Sequence, residues 1–161
     1  MRSVLCAITH RDAKLGDAGR GLLPGKPTVF LSTPSTEINA TFSPDGRWIA
    51  NTSNEASSND VYLRPFPWPG GKWRISTEGG SFPSWSATAH ELLFVNQGKV
   101  MAAPYAVVGD SFRAEKPQIW SPTGYRALGN YPYDLHPDGK RLAIVVDTDE
   151  SAGVVQDNRP R

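Results

Sequence analysis

Phe42-Ser43-Pro44-Asp45-Gly46-Arg47-Trp48-Ile49-Ala50 and Leu135-His136-Pro137-Asp138-Gly139-Lys140-Arg141-Leu142-Ala143 are two copies of one short phrase. A worn copy, Trp85-Ser86-Ala87-Thr88-Ala89-His90-Glu91-Leu92-Leu93, stands between them. Aligned on Ser43, Ser86 and His136, the copies recur after 43 and then 50 residues. A period of this size marks an array of like units, each too small to bury its apolar face alone. Within each good copy the middle residues have separate tasks. Pro44 and Pro137 fit the fixed φ of a first turn corner, and Asp45 and Asp138 bond back to the backbone. Gly46 and Gly139 supply the corner that needs positive φ. An Asp-Gly turn between alternating apolar residues predicts a β-hairpin.

Working outward, the alternation of apolar and polar residues predicts strands over 26–32, 39–43, 47–52, 60–66 and 72–76. The next copy repeats the pattern over 82–86, 91–96, 99–105 and 112–120, and a third begins over 131–135 and 141–147. Four antiparallel strands and then a fresh start describe the blade of a β-propeller. The expected fold is therefore all-β: a partial β-propeller of about two to three four-stranded antiparallel blades. The units fall at about 25–77, 78–121 and 122–150, after a poorly ordered lead-in over 1–24 and before a polar tail over 151–161. In the worn copy, Thr88-Ala89 replaces Asp-Gly at the same loop length. Left-handed backbone at Ala89 would be strained, so this turn is expected to distort or change type, and Ala89→Gly to stabilise it.

The bulk composition agrees. In 161 residues there are 15 Gly and 14 Pro, placed between short apolar runs, as turn-rich β structure requires. The hydrophobic share of 39% is enough for a folded core. A net charge of +1 without a basic cluster leaves nucleic acid without an electrostatic footprint. Cys6 is the single cysteine, which excludes an intrachain disulfide and a multi-cysteine metal site. The apolar run over 4–8 is shorter than the roughly 7–15 residues of an export signal. The longest apolar run elsewhere, over 142–146, is far from the ~20 residues of a membrane span.

One stretch is more distinctive than the turns. Asp60-Val61-Tyr62-Leu63-Arg64-Pro65-Phe66-Pro67 is followed closely by Gly70-Gly71-Lys72-Trp73-Arg74-Ile75-Ser76. Together with the phrase at 42–50 and Thr52-Ser53-Asn54-Glu55, it resembles TolB-type, WD-like propeller repeats. More narrowly, it resembles the propeller at the carboxyl end of bacterial membrane-anchored serine/threonine protein kinases. The resemblance runs over about 26–147. It implies an extracytoplasmic (periplasmic) sensor or interaction module that follows a kinase domain. No Gly-rich phosphate loop, H-R-D or D-F-G occurs here, so kinase activity is not carried over. The family ring has more blades than this chain displays, which implies a fragment of a larger ring.

Catalytic chemistry is not legible. No G-x-S-x-G is present for a serine hydrolase. His90 and His136 fall on hairpin turns, aligned with Arg47 and Ser43 of the first copy, and read as solvated turn residues. Asp147-Thr148-Asp149-Glu150 lacks the spaced oxygens and central Gly of a calcium loop, so no metal site and no cofactor are expected. Asn39-Ala40-Thr41 and Asn51-Thr52-Ser53 match the glycosylation pattern but fall in predicted strands. Of the aromatic residues, Trp48, Trp73, Trp85, Trp120, Tyr62, Tyr105, Tyr131 and Tyr133 read as packing between blades. Trp68, in the P-W-P turn, reads as the exposed contact residue. The expectation is a non-enzymatic binding or sensing module whose protein or small-molecule partner is unknown. The alternative is the propeller part of a prolyl-peptidase-like hydrolase whose catalytic domain is absent. Uncovered blade faces predict self-association.

Overall fold

The structure, a computed structural model, describes residues 3–7, 28–67, 70–121 and 133–144. The described residues are all-β, in thirteen strands and several antiparallel sheets, with no helix among them. Accordingly, none of their helices is long and apolar enough to cross a membrane.

Strands β1 (Ser3–Ala7) and β2 (Thr28–Thr33) form a two-stranded ladder. The sequence reading placed no strand in 1–24; β1 corrects it, and the remaining residues of that segment, 1–2 and 8–24, lie outside the described residues. The first full sheet is a meander of β3 (Glu37–Phe42), β4 (Trp48–Ser53), β5 (Asp60–Pro65) and β6 (Trp73–Arg74). The second holds β7 (Ser81–Trp85), β8 (Glu91–Asn96) and β9 (Lys99–Val108). Where one strand was expected over 112–120 there are two, β10 (Ser111–Ala114) and β11 (Gln118–Ser121). β10 pairs with the far half of β9 and β11 with its near half. Pro117 explains the interruption, since it has no N–H to give to a ladder. Last come β12 (Tyr133–Leu135) and β13 (Leu142–Ile144), again a hairpin. Residues 145–161, which include the acidic run at 147–150, lie outside the described residues.

In the two full sheets strand pairing stays inside the sequence copy, whereas β2, expected within the unit 25–77, pairs with β1 of the lead-in instead; the sheets are layered. Trp48, Ala50, Val61, Leu63 and Ile75 of the first full sheet share a core with Trp85, Leu92, Phe94, Ala103 and Phe112 of the second. The other face of the second sheet, through Leu93, Val95, Val100, Ala102 and Trp120, meets Tyr133 and Leu142 of the third. This explains the unbroken apolar run Leu92-Leu93-Phe94-Val95. Successive side chains point to opposite faces, and both faces are buried. Each such side chain contributes on the order of 1.5–3 kcal/mol by leaving water.

Aromatic residues fill the first core. Trp48 lies edge-on to Trp73 at 5.5 Å, Trp85 edge-on to Tyr105 at 5.3 Å, and Tyr105 stacks on Phe112 at 5.0 Å. Trp120 and Tyr133 pack in the second core. Tyr62 differs from the rest. Its ring faces Lys72 Nζ at 5.0 Å, on the polar side of β5 beside Arg64. That side carries a polar network that runs from buried Asn51 and Arg64 out to exposed Glu55 and Lys72. Asn51 donates to Glu37 at 2.5 Å and accepts from Arg64 at 3.1 Å, and Glu55 is paired with Lys72. Asn51 is buried, which takes it out of reach of a glycosylating enzyme.

The three copied turns bear out their distinct chemistry. Gly46 and Gly139 hold φ of 69° and 70°, and each donates its N–H to the carbonyl of Ser43 or His136. Asp45 and Asp138 accept from the amides two residues on, those of Arg47 and Lys140. In the worn copy the closing bond survives, Ser86 N–H to Glu91 O at 3.0 Å, but Ala89 does not take positive φ. Its amide is instead satisfied by the Ser86 hydroxyl at 3.0 Å. The turn has changed type, as expected. Because Ala89 is unstrained, the expected gain from Ala89→Gly loses its physical basis.

Candidate functional site: two clefts at the turn-bearing end

The first copied turn does more than reverse the chain. Arg47, just past Gly46, extends to the β9–β10 turn of the next sheet. There its guanidinium donates to Gly109 O at 2.9 Å and to Asp110 Oδ1 at 3.0 Å. This bridge walls off two clefts at the same end of the sheets. On one side lies a cleft of about 340 Å³, lined by Pro44, Asp45, Arg47, Ser86, Ala87, His90, Tyr105, Val107 and Gly109. On the other lies one of about 330 Å³, lined by Arg47, Trp48, Pro65, Phe66, Pro67, Gly70, Gly71, Trp73 and Asp110.

The first cleft has a polar floor and an aromatic wall. Burial pushes the Asp45 carboxyl up, but hydrogen bonds from the Ser43 hydroxyl and the Arg47 amide, with the Arg47 charge, reverse this and leave it lowered. Asp45 therefore stays ionised, held by Ser43 at 2.5 Å. Burial, and then the Asp45 charge, push the Tyr105 phenol up, so Tyr105 remains a neutral donor. His90 is exposed and lies edge-on to Tyr105 at 5.7 Å. The second cleft is lined by the rings of Trp48, Phe66 and Trp73 and is bordered by residues 67 and 70. Trp68, between them, lies outside the described residues.

Of the predicted turn residues, Pro44 and Asp45 reach the first cleft, and Gly46 shapes the turn beside it. Pro137, Asp138 and Gly139 do not join either cleft. They belong to the third turn, which packs on the second: Thr88 donates to Asp138 O at 3.2 Å. Asp138 is held near a pKa of about 2, chiefly by the Lys140 amide and further by Arg141. His136 is exposed and caps this turn, its Nδ1 accepting from the Asp138 amide at 3.2 Å.

A feature that the sequence reading missed lies along the first strands of the units. A smaller cavity of about 210 Å³ is lined by residues of β3, β7 and β12, among them Asn39, Phe82 and Tyr133. Asn39 and Phe82 have φ of 54° and 57°, and each interrupts the register of its hairpin. They are separated by the same 43 residues as Ser43 and Ser86. Positive φ is tolerable for Asn but strained for a bulky aromatic residue. Phe82 is held there by two bonds, its N–H to Thr52 Oγ1 at 3.1 Å and its carbonyl from Tyr133 Oη at 2.8 Å. No glycine marks either position, so only the fixed spacing could have signalled the shared bulge.

Among the described residues no group of three or more His, Cys, Asp or Glu is placed to hold a metal ion. No protein-family model matches the chain, and no curated protein is significantly similar to it.

Proposed function

We propose that the chain is part of a β-propeller, its sheets set around a common axis, and that it is a non-catalytic binding or sensing module. The observation that carries this reading is the coincidence of sheet with sequence copy. Each full sheet is one copied unit, and the middle one gives a face to each neighbour. Propeller modules bind through the loops at the ends of their sheets. The two clefts lie at such an end, and their volumes are those of small-ligand sites. The motif similarity to kinase-associated propellers supports the sensor region of a bacterial serine/threonine kinase as its setting.

Ser86, His90 and Asp45 share the first cleft, yet their arrangement speaks against a hydrolase. Ser86 is buried and its hydroxyl accepts from the Ala89 amide, while His90 is set against Tyr105. A nucleophile needs its base within hydrogen-bond reach.

An NMR-monitored screen of the intact chain with a library of small polar and aromatic fragments tests the reading. Hits should shift the amides of Arg47, His90 and Tyr105, and Arg47→Ala should weaken them at least several-fold. Hits scattered away from both clefts, or turnover of chromogenic peptide or ester substrates, would overturn it.

A further inference from the structure

The first cleft says more about its ligand than its volume does. Its fixed charges sit on two lining residues, Asp45 and Arg47. Arg47 commits its guanidinium to Gly109 O at 2.9 Å and to Asp110 Oδ1 at 3.0 Å. Asp110 lines the second cleft and not this one. The group thus sets two carboxylates against one guanidinium, so negative charge is in excess, and its share in the first cleft is carried by Asp45. Asp45 also keeps an oxygen in reserve. The Ser43 hydroxyl and the Arg47 amide both donate to Oδ1, at 2.5 and 3.1 Å, and neither bond is given to Oδ2. The carboxylate is therefore fixed in its turn with accepting capacity left over.

Beside this carboxylate stands the aromatic wall, set in place by the packing behind it. Tyr105 stacks on Phe112 at 5.0 Å, lies edge-on to Trp85 at 5.3 Å, and donates its amide to His90 O at 2.8 Å. A wall fixed in advance lowers the ordering cost of binding. Pro44 and Val107 add apolar surface. Aromatic rings attract a cation as well as the hydrocarbon attached to it. A bare hard cation suits the place poorly, because it takes about six to eight oxygens and the lining offers one carboxylate. The fitting cation brings an apolar body of its own.

We propose that the first cleft binds a primary alkylammonium group, the ammonium donating to Asp45 Oδ2 and the chain lying along Tyr105 and Val107. This rests on the binding-module reading and names the ligand chemistry of that site. The same group reaches the cleft on a free amine or on a lysine side chain of a partner protein. Asp110 tunes the site from outside it, by neutralising the Arg47 charge that would otherwise repel the ammonium.

NMR titration of the full chain with n-butylammonium, n-butanol and n-butyrate, probes of matched size and different charge, tests this. Butylammonium should shift the amides of Asp45, His90 and Tyr105 with a Kd on the order of 10 mM, and the other two should bind about five-fold more weakly. Asp45→Asn should weaken butylammonium by about the same factor while β4, β5 and β8 keep their slow amide exchange. Asp110→Asn, outside the cleft, should weaken butylammonium and strengthen butyrate, each about two-fold; a mere loosening of the wall would weaken both. If Asp45→Asn unfolds, the three probes and Asp110→Asn decide. Nα-acetyl-lysine N-methylamide carries the same chain on a peptide. Binding tighter than that of butylammonium supports the proposal with a partner's lysine as the source, and weaker binding supports it with a free amine. Equal binding of the three probes, or tighter binding of butyrate, overturns the proposal and leaves the binding module standing. If no fragment of any charge shifts these amides, the reading of the cleft as a binding site fails and the proposal with it.

Discussion

Gly46 and Gly139 occupy equivalent corners with nearly the same φ, yet their surroundings separate them. A Cβ on Gly46 would meet nothing within 4 Å, whereas one on Gly139 would lie 2.3 Å from Thr88 Oγ1 and 3.0 Å from Ser86 Oγ. Gly46→Ala should therefore cost only the left-handed strain, roughly 1–2 kcal/mol. Gly139→Ala adds a collision between two turns and should cost about 3 kcal/mol or more. Denaturant unfolding of both variants checks the order; equal losses would mean that the third turn does not press on the second. The need for glycine at both corners is legible from the Pro-Asp-Gly phrase alone. The difference between them is not, because Thr88 is 50 residues before Asp138 and meets it only through the packing of sheets.

At the scale of the element, β5 shows how a strand can be buried on both sides and still carry charge. Val61 and Leu63 enter the shared core, while Asp60 begins the strand fully buried. Its carboxylate accepts from Ser76 Oγ at 2.7 Å and Arg74 at 3.0 Å, and Ser76 Oγ in turn accepts from the Val61 amide at 3.0 Å. This relay ties the start of β5 to the segment after β6, where the two-residue strand has few ladder bonds of its own. Asp60→Asn weakens two charge-assisted bonds and should cost about 2 kcal/mol, with faster exchange at the Val61 and Ile75 amides. An unchanged midpoint in denaturant would show that the relay is dispensable. The sequence reading found β5 and the two sides of its alternation. It passed over Asp60, since nothing local shows that an acid opening a strand will be enclosed by a serine sixteen residues on.

For the whole molecule the layering makes two adjacent leucines report on different interfaces. Leu92 faces the core shared with the first full sheet, and Leu93 faces the third. Truncation of either to alanine should cost about 2–5 kcal/mol, but the local consequences should diverge. Leu92→Ala should first speed amide exchange in β4 and β5, and Leu93→Ala in β12 and β13. The same pattern of exchange from both variants would refute the layered arrangement. The clefts belong to this scale as well. Arg47 is an ordinary post-turn residue in the sequence, and its bond to Asp110 spans 63 positions that only the juxtaposition of two sheets brings together.

What the sequence alone determined is local and repetitive. Alternation and Pro-Asp-Gly corners are short-range properties, so most strand positions and the turn chemistry could be read directly. Tertiary structure decided what depends on neighbours distant in the chain. It brought β1 back to β2, divided the strand expected over 112–120 between two halves of β9, relaxed Ala89 by way of Ser86, and raised a wall between two clefts. Hydrogen bonds and packing across sheets carry energies as large as the local preferences, but they leave no periodic mark on the residues that make them.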